Sequence, residues 1–201
     1  ALWTGPVLGR LQDAYPAFKE HLFAVSGVSG GALGATVFQS LLSYNARIRP
    51  GQIVNAAMGY CKGLRSIEGC AKEILGRDFL GQAFASMFFP ELVQRLLPFS
   101  LQPVFADRAA ALEMGWEDAW QDAMGVEDAN NLMAGPFSEL WQVNKRMPAL
   151  FLNGTVVETA RRIVASNLCI AEQRGKDRPV FREAYDFFGV VKHDVPVSTA
   201  A

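Results

Sequence analysis

The pentapeptide Gly27-Val28-Ser29-Gly30-Gly31 constrains this chain more than any other feature. It follows Leu22-Phe23-Ala24-Val25-Ser26, a short apolar run of the kind that forms a strand buried on both faces of a parallel sheet. It precedes Ala32–Tyr44, whose small and apolar residues suit a tightly packed helix. A serine between glycines at a strand-to-helix turn is the G-x-S-x-G nucleophile elbow. The turn is so tight that the serine takes a strained backbone, and glycines at 27 and 31 are expected to remove side chains that would collide with it. Ser29 then stands clear of the sheet as the candidate nucleophile. The Gly30 amide, opening the helix, is aimed where an oxyanion would form, with the helix dipole adding to it.

The rest of the chain agrees with an α/β layered fold, helices on both faces of a sheet. Helices are expected over about 5–19, 52–64, 66–75 and 107–122, and a second buried strand over 148–157. A third is expected over 162–166, with surface loops at 124–136 and 172–183. Residues 78–105 are aromatic-rich and broken by prolines. The first expectation for them is a buried helical insertion, and the alternative is a lid or a patch facing lipid.

Charge narrows the function classes. Nineteen Lys and Arg against 20 Asp and Glu give a net charge of -1, which removes the electrostatic case for nucleic acid or an anionic membrane as the main partner. Charged residues make up 19% of the chain, below the ~25% norm, and the apolar excess suits a piece that rests against something else. Ala1-Leu2-Trp3 begins inside apolar sequence, and Pro196–Ala201 reads as the start of a helix with Ser or Thr at its cap, so a fragment of a longer protein is expected. Cys61, Cys70 and Cys169 are too few and too scattered for a disulfide framework or a zinc site, which favours a reducing, cytoplasmic-side compartment, with membrane association entering only through the resemblance below. No acidic cluster of the calcium-loop type occurs, so no metal and no cofactor are expected.

A serine needs a base. His21 lies before the strand, about 20 Å from Ser29 at ~3.3 Å per residue, and is read as structural. His193 follows Ser29 and Asp186 in the Ser…Asp…His order of α/β-hydrolases and is the alternative base.

The segment Ala24–Ala35 resembles the nucleophile region of patatin-like phospholipases. Further stretches similar to a bacterial subgroup follow in order: Asp78-Phe79-Leu80, Phe89-Pro90-Glu91-Leu92, Asp107-Arg108-Ala109, Gly115–Trp120, Leu152–Thr159 with Arg162, and Val197–Ala201. The resemblance implies a lipid acyl hydrolase using a Ser-Asp dyad without histidine, acting through an acyl-enzyme on a phospholipid or other acyl ester at a membrane surface. It also implies a helical insertion at about 50–145. Two further elements follow from it, a Gly-rich oxyanion loop before the first helix and an Asp-Gly pair after the last. Neither occurs in these residues, so the piece alone is expected to be inactive, with the remainder of the parent protein packed on it. Asp177, Asp186 and Asp194 precede the place that the resemblance gives the base. A third reading is a non-catalytic module that binds a lipid surface or a protein, centred on Phe88-Phe89.

Overall fold

The computed structural model describes residues 1–47, 61–88, 92–98, 107–127, 130–141, 146–170, 181 and 183–201. The protein is α/β. Its four-stranded sheet has the order β1-β2-β3-β4, with β1 at Ala24–Val28, β2 at Ala149–Val156, β3 at Arg161–Ser166 and β4 at Ala184–Asp186. The sheet is mixed: β1 pairs with β2 parallel, β2 with β3 antiparallel, and β3 with β4 parallel. A wholly parallel sheet with β1 buried on both faces is therefore not what forms. Val25 and Gly27 turn toward the helices, whereas Ser26 and Val28 are exposed on the opposite face.

Helix α1 (Thr4–Ala14) is shorter than the expected 5–19, because Pro16 forces Tyr15 out of the helical region to φ -130°. A short α2 (Phe18–His21) then leads to β1. The central helix α3 (Gly30–Arg47) is buried continuously from Ala32 to Ser43, as its small and apolar composition requires. It covers the Val25, Gly27, Leu150 and Leu152 side of the sheet. Gly34 of α3 and Gly5 of α1 let the two helices cross closely, since a Cβ on Gly34 would lie 2.8 Å from Thr4 Cβ.

Helix α4 (Ile67–Leu75) is capped twice. Ser66 Oγ accepts from the Gly69 amide, and the Asp13 carboxylate accepts from the Ile67 and Glu68 amides at 2.9 Å each. The helix expected at 52–64 lies mostly outside the described residues, and its end, 61–64, is a turn closed by a Cys61–Leu64 bridge. Cys61 and Cys70 form a disulfide, so two of the cysteines read as too scattered for a disulfide framework do pair; Cys169 is free and exposed. The cysteine count thus gives no support for a reducing compartment. Closing a loop of nine residues' separation stabilises by about 2–3 kcal/mol. Reduction, or Cys70→Ser, is expected to lower the unfolding free energy by that amount in denaturant titration. An unchanged midpoint under reductant would show that the bond contributes nothing.

Helices α5 (Phe79–Ser86) and α6 (Leu92–Gln94) contain no buried residue, so the buried-insertion expectation for 78–105 fails over its described part. Phe84 and Phe88 stack on each other while each is about half exposed, and Leu96 is 81% exposed. Helix α7 (Arg108–Met124) begins at an Asp107 cap and ends at Gly125 in the left-handed region. It carries the fully buried Trp120 into the core with Phe38, Leu41 and Ile74. Arg77 binds Asp122 at 2.6 Å and holds that carboxyl below the usual carboxylate range.

The segment expected as a surface loop at 124–136 instead turns inward. Asn131 donates to the Glu117 carbonyl and accepts from the Met133 amide, and Met133 is fully buried. A 3-10 turn (Phe137–Leu140) follows. Helix α8 (Phe187–Val191) is capped by Asp186. Helix α9 (Val197–Ala200) starts where a helix was expected, but its cap is Pro196 rather than Ser or Thr. Ser198 and Thr199 spend their hydroxyls on Glu117 and Glu113 of α7.

The β2–β3 connection, residues 157–160, holds Ala160 at φ 51°. An L-residue there is strained by roughly 1–2 kcal/mol. Ala160→Gly is expected to stabilise by about 1 kcal/mol, read as a rise of about 2–4 °C in thermal midpoint. A fall in the midpoint would refute the strain.

Candidate active site

Ser29 sits between the last residue of β1 and the first of α3, exposed, with φ 53°. A non-glycine residue in that region is sterically disfavoured and persists only where the surroundings enforce it. The enforcement is visible. The Ser29 carbonyl accepts from the Ala32 and Leu33 amides at 2.8 and 3.2 Å, closing the first turn of α3 directly on the serine. A Cβ on Gly27 would lie 2.6 Å from Ala32 Cα and 2.7 Å from Ala32 N, so the chain can fold back this sharply only past a glycine.

The two motif glycines are not equivalent. A Cβ on Gly31 would meet nothing nearer than Thr4 Oγ1 at 3.8 Å, which corrects the expectation that both relieve a collision. Gly30 is the second tight position, its Cβ site lying 2.7 Å from the Ala1 nitrogen. The amides of Gly30 and Gly31 belong to the first helical turn, where N–H groups have no helical acceptor and the dipole is positive.

Beside the elbow the strands carry a polar chain that sequence reading placed only in a strand region. Asn153, opposite Val28 in the register, donates from Nδ2 to Ser26 Oγ at 2.9 Å and to the Gly27 carbonyl at 2.8 Å. Its Oδ1 accepts from Arg162 Nε at 2.9 Å and from Arg162 Nη2. The Arg162 guanidinium also lies over the Phe181 ring, 4.9 Å from the centroid. The signal for this network is the alternation of β2 and β3, which puts Ser26, Asn153 and Arg162 on one face. The pairing register that joins them is not written in the sequence.

Among the described residues, neither histidine is hydrogen-bonded to Ser29. His21 ends α2, below the start of β1, at the far end of that strand from the elbow. His193 lines a cavity of about 580 Å³ with Ser166, Asn167, Leu168, Cys169 and Asp194. Ser166 is level with Phe151 and Ser26, and Asp186, which also lines the cavity, is level with Val164, Asn153 and Val28, so the cavity lies along β3 and β4, at least two strands from β1. His193 Nδ1 is 2.9 Å from the Val191 carbonyl.

The aspartates are engaged elsewhere. Asp186 accepts from the Phe188 and Gly189 amides, Asp194 takes the Ser138 hydroxyl at 2.6 Å, and Asp177 lies outside the described residues. Among the described residues, Ser29 Oγ has no hydrogen-bond partner and no group of three potential metal ligands exists. No helix among them is long and apolar enough to cross a membrane. No protein family, curated protein or solved structure was found to match the chain.

Proposed function

We propose that this chain carries the nucleophile half of a patatin-like lipid acyl hydrolase, with Ser29 attacking an acyl ester. The observation that carries the reading is Ser29 itself: a non-glycine residue at φ 53°, exposed, between a strand and a buried helix. Arg146, Ala160 and Lys192 take the same backbone region, but of these four Ser29 alone joins the end of a strand to the start of a buried helix, where glycine or asparagine would hold the turn with less strain.

In this reading Ser29 Oγ adds to the ester carbonyl carbon while its proton passes to an aspartate carboxylate supplied from outside these residues. The developing oxyanion faces the Gly30 amide. The alcohol leaves with the proton, and water then hydrolyses the acyl-serine. His21 ends α2 before β1 begins, and His193 contacts the Val191 carbonyl rather than Ser29, which supports a base other than histidine. Helices α4 to α7 correspond to the helical insertion at about 50–145. The exposed Phe84, Phe88 and Leu96 supply an apolar surface for a lipid interface.

The test is covalent capture of the full-length protein by a fluorophosphonate, with the labelled peptide identified. Attachment at Ser29 supports the reading, and attachment elsewhere or none refutes it.

A further inference from the structure

We propose that Arg162 is a binding residue for an anionic phosphate group carried by an amphiphile, placed to recognise the head group of the lipid on which Ser29 acts. The proposal rests on the acyl hydrolase reading for the identity of that lipid, while the anion site itself rests on the geometry alone.

Four observations converge. First, Arg162 makes no ion pair among the described residues, although other arginines are matched with acids: Arg77 with Asp122, Arg47 with Glu139, and Arg146 with Glu20. Second, its guanidinium is held rather than free. Two of its donors, from Nε and Nη2, converge on the neutral Asn153 Oδ1, and its plane is supported by Phe181. A guanidinium has five N–H donors, so three remain, in the fork geometry that fits phosphate oxygens. Third, its acceptor in the protein is an amide, which fixes the cation without neutralising it. An aspartate at position 153 would have closed the site with an ion pair.

Fourth, the position is right. Arg162 is opposite Thr155, on the exposed face that Ser26 and Val28 share, and Val28 precedes Ser29. Two strand spacings of ~4.8 Å and about one step along the strands put the two backbones on the order of 10 Å apart. The side chain reaches back across part of that span to Asn153. In a glycerophospholipid the phosphate lies a few bonds from the ester carbonyl, so one molecule can touch both groups. Arg161, the adjacent residue, points to the other face and lies over Tyr185, which makes it an internal control.

The experiment measures binding of hexyl phosphate to the full-length protein by isothermal titration. Wild type and Arg161→Gln are expected to bind alike, and Arg162→Gln about tenfold more weakly, the loss typical of a charge-assisted contact. Equal binding by wild type and Arg162→Gln overturns the proposal. Inorganic phosphate is run beside it: weaker binding than hexyl phosphate supports an amphiphile, and equal binding overturns that part of the assignment.

Arg162→Lys separates ligand binding from a role in holding Asn153, because it keeps the charge and gives up the fork. Affinity between those of wild type and Arg162→Gln supports direct contact; affinity no better than Arg162→Gln overturns it. This variant also serves if Arg162→Gln does not fold. Fluorophosphonate capture at Ser29 is read on the same samples. Absent capture with an Arg162-dependent phosphate site defeats the hydrolase reading alone, and capture at Ser29 with phosphate binding indifferent to Arg162 defeats this proposal alone.

Discussion

Ser29→Ala and Ser29→Gly are both expected to abolish fluorophosphonate capture of the full-length protein, while only Ser29→Gly raises its thermal midpoint. Removal of the attacking oxygen leaves no nucleophile at the elbow, and the labelling rate falls by at least about 10³-fold. Stability separates the two variants because the strain at Ser29 belongs to its backbone. With φ at 53°, any L-residue bears roughly 1–2 kcal/mol of steric cost. Alanine keeps that cost and glycine relieves it, less about 0.4–1 kcal/mol for the freer unfolded chain. The net gain is about 1 kcal/mol, or about 2–4 °C for a domain of this size. A strained serine at a strand-to-helix turn, where glycine would be more stable, fits a use for its hydroxyl. Equal midpoints for the two variants would remove the strain, and with it the observation on which the proposed function rests.

The elbow was legible because it is local. Five residues, the apolar run before them and the small residues after them encode a strand, a turn and a buried helix, and these form at Ala24–Val28, Ser29 and Gly30–Arg47. The helices at 66–75 and 107–122 were legible for a similar reason, since Ser66 and Asp107 are caps and Gly125 is a stop. What escaped depends on partners distant in sequence. The exposure of α5 could not be read from Phe79, Phe84 and Phe88, because an aromatic helix looks the same whether or not another element covers it. Asn131 and Met133 read as loop, yet they turn inward because α7 offers the Glu117 carbonyl to Asn131. The Ser26–Asn153–Arg162 chain needs the parallel register of β1 on β2 and the antiparallel register of β2 on β3 together. No periodicity within one strand contains that information. The Cys61–Cys70 bond likewise follows from the turn at 61–64 returning the chain to α4.

Gly27→Ala is expected to be the most damaging single substitution at the elbow, and Gly31→Ala among the mildest, although the motif treats these glycines alike. At Gly27 the added carbon would fall 2.6–2.8 Å from Ala32 Cα, Ala32 N and the Gly31 carbonyl carbon. All three are backbone atoms at the start of α3, and none can rotate away. Relief requires the first turn of α3 to move off the end of β1, and α3 is the helix on which the core is built. Overpacking of this kind costs about 3 kcal/mol, and the same shift would displace Ser29 and the Gly30 amide together. At Gly31 the added carbon meets only Thr4 Oγ1 at an ordinary 3.8 Å, and alanine is the better helix former. Gly31→Ala should therefore stay within about 0.5 kcal/mol of the parent in chemical denaturation. Labelling at Ser29 should be lost in Gly27→Ala even among molecules that remain folded, because the serine is placed by the turn rather than by any side-chain bond. If Gly31→Ala proves as destabilising as Gly27→Ala, the close passage of α3 lies at the second glycine. The Gly30 amide would then not stand where the oxyanion is proposed to form.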